Sequence, residues 1–310
     1  MSGATASVAG TANESALPAG SGLRIGTVGV VGSGTMGRGI AESCLRAGLN
    51  VVLHDASAPA LAGARSHIGT AMQRSVDKGQ VPAEQAAGWL AALETAADMS
   101  GLSGCDLAIE AVPEVPEIKL HVLARLAACT REEAVIASNT SSIPITRLAA
   151  GVQDTSRFLG LHFFNPVPRM ALVEVIPTVL TSDATTHAIE LFVGEQLHKT
   201  ALTVPDRPGF AVNALLIPYL LSAARMLDSG YATAESIDRG MKLGCGHPIG
   251  PLELCDFIGL DVVCHVADAV YAESRDPACI VPNNLRRLVE AGRLGRKTGR
   301  GFYSHRATPA

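Results

Sequence analysis

Two side chains of complementary chemistry, His162 and Glu174, lie in strand-like segments, LGLHFF and ALVEVI, separated by the turn-like sequence NPVPRM. If the segments fold back about Pro168, both residues are six positions from the turn centre and pair across the strands. A histidine oriented by a carboxylate can act as a general base at neutral pH. The alternative is a buried histidine bound to a backbone carbonyl and a glutamate at the surface.

A second chemical pattern is a glycine-rich G-x-G-x-x-G sequence between the β-rich run RIGTVGVV and a helical stretch. Its glycines permit a tight turn, close approach of the backbone to a pyrophosphate and close packing of helix on strand. The helix N-terminus supplies free N–H donors to the phosphates. The sequence therefore predicts a dinucleotide site. It is formed by Gly32, Ser33, Gly34, Thr35, Met36 and Gly37.

An acidic residue, Asp55, lies 23 residues after Gly32, at the end of the next predicted strand. A carboxylate there accepts hydrogen bonds from ribose hydroxyls and repels a 2′-phosphate. The following Ala56 and Ser57 offer no positive charge to neutralise such a phosphate. This favours NAD over NADP as the cofactor, whereas the alternative is that Asp55 only begins the following loop.

The elements that position these residues alternate between strand and helix, which is typical of an α/β protein with a parallel sheet. The pattern predicts a Rossmann-type dinucleotide-binding domain over residues 23–206. Its strands are predicted at 24–31, 51–54, 107–112, 134–138, 159–164, 171–176 and 200–204, and its helices at 37–47, 57–98 and 117–128.

Beyond the sequence PDRPG, which has the composition of a hinge, the pattern becomes helical. A helix is predicted over 210–228, with a kink at Pro218, and no strand is predicted from there to about 290. An all-α C-terminal domain is therefore expected over 207–310. Residues 1–22 are rich in Gly, Ala and Ser without the features of a signal or transit peptide, and are expected to form a disordered leader.

Composition excludes several classes of protein. The 310 residues are 47% hydrophobic with a net charge of -4, so no basic face for nucleic acid is expected. No apolar run is long enough to span a membrane. The seven cysteines form no C-x-x-C motif and no metal site is predicted; they are expected to be small buried hydrophobes of a cytoplasmic protein.

Six segments, in order and over residues 24–303, resemble the 3-hydroxyacyl-CoA dehydrogenase family: VGVVGSGTMGRGIA, SNTSSIPITRLA, LGLHFFNPVPRMALVEVI, DRPGFAVNALLIPYL, GHPIGPLELCDFIGLD and GRKTGRGFY. The resemblance implies NAD-dependent hydride transfer at C3 of a 3-hydroxyacyl-CoA, such as 3-hydroxybutyryl-CoA, in fatty-acid or butanoate metabolism. It also implies a homodimer formed through the helical domain, whose sequence is more apolar than one small domain requires.

The same resemblance assigns roles at matching positions. His162 would be the catalytic base and Glu174 its partner, Ser141 would lie between substrate hydroxyl and nicotinamide, and Asn213 would complete the site. For Ser141 and Asn213 the alternative is a role in turn and helix packing only. Further cofactor contacts are implied at Glu114, Lys119, Asn165 and Lys297, and for the charged ones the alternative is a solvated surface charge.

The chain also departs from the family pattern. Val115 occupies a position where the family often has Asn. Lys78 matches a basic residue that receives the CoA nucleotide, with Arg65 and Arg74 as further candidates, but Ala71 stands at an expected polar position. Two alternatives therefore stay open: a relative that acts on an acyl-carrier-protein thioester or a free β-hydroxy acid, and a non-catalytic NAD-binding protein.

Overall fold

The computed structural model describes residues 24–305, so the predicted leader at 1–22 lies outside the described residues. Eight strands form one sheet in the order β3-β2-β1-β4-β5-β6-β7-β8, and all neighbours are parallel except β6 and β7. The strands are β1 Thr27–Val31, β2 Asn50–His54, β3 Leu93–Ala96, β4 Leu107–Glu110, β5 Val135–Ser138, β6 Phe158–Phe163, β7 Leu172–Pro177 and β8 Thr200–Thr203.

Helices cover both faces of this sheet, which is why its central strands are apolar on both sides. Helices α1, α2 and α6 contribute to the core on one face, and α4 and α5 to the core on the other. In β4, Ile109 packs into the first core and Ala108 into the second. The helices are α1 Thr35–Arg46, α2 Ala58–Asp77, α3 Ala83–Ala91, α4 Pro116–Cys129, α5 Ile145–Leu148 and α6 Asp183–Leu191.

One predicted element is wrong. Residues 57–98 were expected to be helical, but after α2 and α3 the segment LETA forms β3, which pairs in parallel with β2. This edge strand carries almost no β-propensity of its own, so a distant partner decides its conformation. Arg65 of α2 donates to the backbone oxygen of Leu93 at 2.7 Å and fixes the start of the strand.

The C-terminal part is helical, as expected, and no strand occurs between residues 212 and 290. It has its own apolar core, built around Leu220, Val263 and Leu285. Helix α7 continues through Pro218. The fold is thus a Rossmann-type α/β domain followed by an all-α domain. The helices are α7 Val212–Asp228, α8 Ala234–Cys245, α9 Pro251–Ile258, α10 Leu260–Ser274 and α11 Asn283–Glu290.

All seven cysteines are free thiols, and five are buried as expected. The expectation is wrong for Cys129, which is half-buried, and for Cys245, which is exposed at the last residue of α8. Among residues 24–305 no helix has the length and apolarity to cross a bilayer.

Candidate active site

His162 and Glu174 form a buried pair on adjacent antiparallel strands. The register of β6 and β7 places the two residues directly opposite each other, as the turn geometry predicted. Nδ1 of His162 lies 2.7 Å from Oε2 of Glu174. The alternative of a surface glutamate is wrong, because Glu174 is fully buried and His162 is 4% exposed.

The second oxygen of Glu174 is also occupied. Oε1 accepts hydrogen bonds from the backbone N–H groups of Ala211 and Val212, each at 2.9 Å. Burial raises the pKa of Glu174, but the bonds from His162 and from these N–H groups outweigh burial and hold the pKa below its ordinary value. Since an ionised carboxylate only accepts, Nδ1 of His162 carries the proton and Nε2 is left free to accept one.

Two aromatic rings lie against the imidazole. The ring centroids of Phe164 and Phe210 are 4.4 and 5.6 Å from that of His162. The imidazole thus contacts the carboxylate and these two rings and has little exposed surface. Bulk water is therefore largely excluded from the imidazole.

Ser141 and Asn213 meet where the loop after β5 approaches the start of α7. The side-chain amide of Asn213 donates to the backbone oxygen of Ser141 at 3.5 Å. Asn213 follows directly after Val212, whose N–H binds Glu174. The structure thus brings together the loop after β5, the His162–Glu174 pair and the first turn of α7.

The glycine-rich loop has the shape of a phosphate cradle. Gly32 has a φ of +102°, and a Cβ atom there would lie 2.6 Å from the backbone oxygen of Ala111. A Cβ at Gly37 would lie 1.7 Å from the oxygen of Gly32, whereas one at Gly34 would meet only open space. The first and third glycines are needed for packing and the second leaves room for a ligand, so these residues fit a bound dinucleotide.

Asp55 is fixed at the end of β2 beside this cradle. Its Oδ2 accepts hydrogen bonds from the backbone N–H of Ser33 at 2.9 Å and from its hydroxyl at 2.8 Å. Burial raises the pKa of Asp55, but the N–H groups of Ser57 and Ser33 outweigh burial and lower it. Asp55 is therefore ionised and available to ribose hydroxyls, as an NAD site requires.

A cavity of about 1100 Å³, called here the dinucleotide cavity, extends from the glycine-rich loop between α4 and α10. Its walls include the cradle, the ends of β2 and β4, and the loop after β5. Among the residues that line it are Gly32, Ser33, Gly34, Thr35, Met36, Asp55, Glu114, Ile118, Arg125, Asn139, Ser141, Asp261 and His265.

Glu114 lies on the wall of the dinucleotide cavity, but Lys119 lies behind it. Lys119 is fully buried, with Nζ 2.8 Å from Glu110 and 3.4 Å from Glu114. The alternative of a solvated surface charge is therefore wrong for Lys119. Sequence reasoning missed Glu110; its signal is a lone charge inside the otherwise apolar strand LAIEAV.

Asn139 is a second residue that sequence reasoning missed. It lies on the wall of the dinucleotide cavity, and its Oδ1 accepts the backbone N–H of Phe163 at 3.0 Å. It therefore ties the loop after β5 to the residue next to His162. The available signal was the polar run SNTSS directly after a buried strand.

Lys297 lies beside the dinucleotide cavity in a half-exposed ion pair. Its Nζ is 2.6 Å from the carboxylate of Asp261, which lines that cavity at the start of α10. The structure therefore places Lys297 near the predicted cofactor without putting it on the wall.

A second cavity of about 670 Å³, called here the basic cleft, lies between α1, α2 and the turn after β6. Lys78 and Arg74 line it, and so do Ala71 and Asn165, the last of which was predicted to contact the cofactor. Arg65 is not on its wall. The positively charged side chains of the cleft are Arg38, Arg46, Arg74, Lys78 and Arg169. Within the part of the chain that the structure describes, Arg46 alone among them is paired with a carboxylate, that of Glu42.

Within residues 24–305 no group of three or more His, Cys, Asp or Glu side chains could hold a metal ion.

Comparison with known proteins gives consistent matches over nearly the whole chain. Residues 27–207 match the family model "3-hydroxyacyl-CoA dehydrogenase, NAD binding domain", and residues 209–305 match the corresponding C-terminal domain. A 3-hydroxybutyryl-CoA dehydrogenase of Mycobacterium tuberculosis is 44% identical over 279 residues, which are 90% of this chain and 98% of the relative. One from Bradyrhizobium diazoefficiens is 44% identical over 282 residues, 90% of this chain and 95% of that protein.

A solved structure gives the same result for the fold. The crystal structure of (S)-3-hydroxybutyryl-CoA dehydrogenase PaaH1 from Ralstonia eutropha superposes with a TM-score of 0.88 at 44% identity. The match covers 91% of this chain and all of that one.

Proposed function

The chain belongs to the 3-hydroxyacyl-CoA dehydrogenase family, and from this premise we propose that its substrate is a short-chain 3-hydroxyacyl-CoA such as 3-hydroxybutyryl-CoA. The protein is an NAD-dependent oxidoreductase that interconverts a 3-hydroxyacyl-CoA and a 3-ketoacyl-CoA. The observation that carries the assignment of residues is the buried His162–Glu174 pair, which lies next to the loop that contacts the dinucleotide cavity.

The chemistry follows from the free Nε2 of His162. NAD, when bound, accepts the hydride from C3 of the substrate. Nε2 takes the proton of the C3 hydroxyl, and Glu174 stabilises the imidazolium that forms through its bond to Nδ1. Ser141 and Asn213 hold the oxygen on which negative charge develops. In the opposite direction the protonated His162 donates to the ketone oxygen.

Some of the residues predicted from the sequence would hold the cofactor. The cradle of Gly32 to Gly37 would receive the pyrophosphate and Asp55 the adenosine ribose. Glu114 and Ser141 contact the other end of the dinucleotide cavity. We assign Lys119 to the same site as the residue that fixes Glu114, and Lys297 as a residue near the cofactor.

The basic cleft is the proposed site of the CoA nucleotide. Arg38, Arg74 and Lys78 have no carboxylate partner among the described residues and are free to bind phosphate groups. Thr35 lines both this cleft and the dinucleotide cavity, so a thioester lying in the cleft would extend toward the cofactor. Asn165 lies on the cleft wall, and a contact with the cofactor remains its predicted role.

We further propose that the chain divides at 206/207 and forms a homodimer through its helical domain. Support comes from large apolar side chains that are exposed there, among them Leu215 in α7 and Leu243 in α8, which are 79% and 75% exposed. Unpaired cysteines are consistent with a reducing cytoplasm, where the enzyme would serve fatty-acid or butanoate metabolism.

A second candidate substrate is an acyl-carrier-protein thioester. Ala71 leaves the basic cleft without a polar group at one expected position. The positive charges of Arg38, Arg74, Lys78 and Arg169 would also suit the acidic surface of a carrier protein. A free β-hydroxy acid carries neither a nucleotide nor a carrier protein, so it would not require the positive charges of the basic cleft.

The experiment that separates these substrates is NADH consumption with acetoacetyl-CoA, its pantetheine thioester and its carrier-protein form. A kcat/KM for the CoA ester at least tenfold above that for the pantetheine thioester would establish that the nucleotide is bound. Equal values for the two small thioesters, with faster turnover of the carrier-protein form, would favour the second candidate. Binding of NADH without turnover of any thioester would indicate a non-catalytic protein.

A further inference from the structure

Three charged side chains form a cluster behind the inner wall of the dinucleotide cavity, here called the acidic triad: Glu110, Lys119 and Glu114. Lys119 donates to both oxygens of Glu110, at 2.8 and 3.1 Å, and lies 3.4 Å from Glu114. The side chains of Glu110 and Lys119 have no exposed surface, whereas that of Glu114 is 24% exposed, on the cavity wall. The triad thus reaches the cofactor site through one carboxylate.

The triad carries a net negative charge. Glu110 is surrounded by donors only: besides Lys119 it accepts from the N–H of Val112 at 2.7 Å and the hydroxyl of Ser138 at 2.5 Å. An environment of donors alone suits an ionised carboxylate, which can only accept hydrogen bonds. Burial holds the pKa of Glu110 above its ordinary value, although Lys119 and these bonds act against burial and favour the ionised form. With two carboxylates and one ammonium group, one negative charge is left over.

The carboxylate of Glu114, which carries the remaining negative charge, is held against the loop after β5. Oε1 of Glu114 accepts hydrogen bonds from the hydroxyl of Thr140 at 2.5 Å and from the backbone N–H groups of Ser141 and Ser142 at 2.9 and 3.2 Å. Burial raises the pKa of Glu114, but Lys119 and these bonds outweigh burial and lower it. Glu114 is therefore a permanent anion next to Ser141.

Another cation on the same wall, Arg125, is farther along α4. Arg125 lines the dinucleotide cavity but stands six residues beyond Lys119, about 9 Å along the axis of α4. The side chains of His121 and His265 also line the cavity and come from α4 and α10. No cation other than Lys119 contacts Glu114 within residues 24–305.

We propose that Glu114 tunes the redox balance of the bound cofactor by stabilising the positively charged oxidised nicotinamide relative to the neutral reduced ring. This inference rests on the proposed function, in which Ser141 lies beside the nicotinamide. During oxidation of the alcohol, the hydride carries two electrons and a proton from C3 to the ring, which loses its positive charge. The hydroxyl proton passes to His162 and the C3–O bond becomes a carbonyl. A fixed anion opposes that loss of charge and favours the direction of ketone reduction.

The test compares the affinities of the two forms of the cofactor, measured by calorimetry without substrate. Glu114→Gln removes the charge and preserves the size of the side chain. We expect the dissociation constant of NAD⁺ to rise about tenfold and that of NADH to change less than threefold, so that the ratio of the two constants shifts. Glu114→Ala is a second neutral variant, measured in the same way if the glutamine variant does not fold.

A matched control is Thr140→Val, which removes a bond between Glu114 and the same loop without changing any charge. It should weaken both forms of the cofactor by a similar factor and leave their ratio unchanged. An unchanged ratio in Glu114→Gln, or an equal shift in Thr140→Val, would overturn the proposal. Failure of the proposed function is a different result: the unaltered protein would bind neither form of the cofactor or would not reduce acetoacetyl-CoA.

Discussion

Glu174 accepts a hydrogen bond from the backbone N–H of Ala211 at 2.9 Å, so the carboxylate that orients the histidine also holds the start of the helical domain. Its other oxygen binds Nδ1 of His162. The orientation of the imidazole and the position of α7, which carries Asn213, therefore depend on one buried anion. Changes at Glu174 are expected to affect stability as well as catalysis.

Glu174→Gln should lower the free energy of unfolding at pH 7 by about 2 kcal/mol, because an amide leaves buried donors less well paired. Since the folded protein holds the pKa of Glu174 below its ordinary value of 4.5, the stability from its charge is present above pH 4.5 and is lost as the pH falls further. The free energies of unfolding of the unaltered protein and the variant, measured with urea, should therefore become more similar as the pH falls below 4.5. A difference that is constant from pH 7 to 3.5 would contradict this account.

His162→Ala should lower kcat by about 10²- to 10⁴-fold, the usual contribution of a general base. NADH binding should be unchanged, because the imidazole lies outside the walls of the dinucleotide cavity. Stopped-flow turnover of acetoacetyl-CoA and fluorescence titration with NADH measure the two properties separately. Normal kcat in this variant would remove His162 from the mechanism.

Local patterns were sufficient to predict much of this site. The histidine and the glutamate flank a short turn, so counting residues from Pro168 gave the register found between β6 and β7. The positions of the glycine-rich loop and of Asp55 could be predicted for the same reason, because strand, glycine-rich turn, helix and next strand follow one another along the chain. Such features depend on neighbours in sequence and can be derived without knowledge of the whole fold.

Features that depend on distant packing were not predictable. The strand β3 forms only because β2 offers an edge, and its own sequence is not β-prone. Burial of Lys119 requires the ends of β4 and β5 and the first turns of α4 to converge on one ammonium group. A single sequence shows that a lysine is present, but not that the carboxylate of Glu110, nine residues earlier, lies 2.8 Å from its Nζ.

Lys78→Ala should raise KM for acetoacetyl-CoA about fivefold, the cost of losing about 1 kcal/mol of phosphate binding, and leave KM for the pantetheine thioester unchanged. The matched control is Arg65→Ala, which removes a positive charge from α2, the helix that ends directly before Lys78; Arg65 binds the backbone of Leu93 outside the basic cleft. Steady-state kinetics with both thioesters measures the effect. Equal increases for the two thioesters would show that Lys78 does not bind the nucleotide.

Leu243→Glu should convert the proposed dimer to a monomer, because a charge within an apolar interface is left without a partner. Light scattering at micromolar concentration should give twice the chain mass for the unaltered protein and about one chain mass for the variant. Val179→Glu is the matched control: Val179 is 92% exposed and lies between β7 and α6 of the Rossmann-type domain. A single-chain mass for the unaltered protein would refute the dimer.

Asp55→Ala should weaken NADH binding about tenfold, since a charged acceptor of hydrogen bonds typically contributes about 1.5–3 kcal/mol, part of which water replaces. It should weaken NADPH binding less or even strengthen it, because the anion that repels a 2′-phosphate is gone. The control is Ser33→Ala, which removes the hydroxyl bond to Asp55 and keeps the carboxylate, so the preference for NADH should persist. Fluorescence titrations with NADH and NADPH give the two dissociation constants for each protein. If their ratio in Asp55→Ala equals that of the unaltered protein, cofactor choice is determined elsewhere in the dinucleotide cavity and Asp55 serves only to hold the glycine-rich loop.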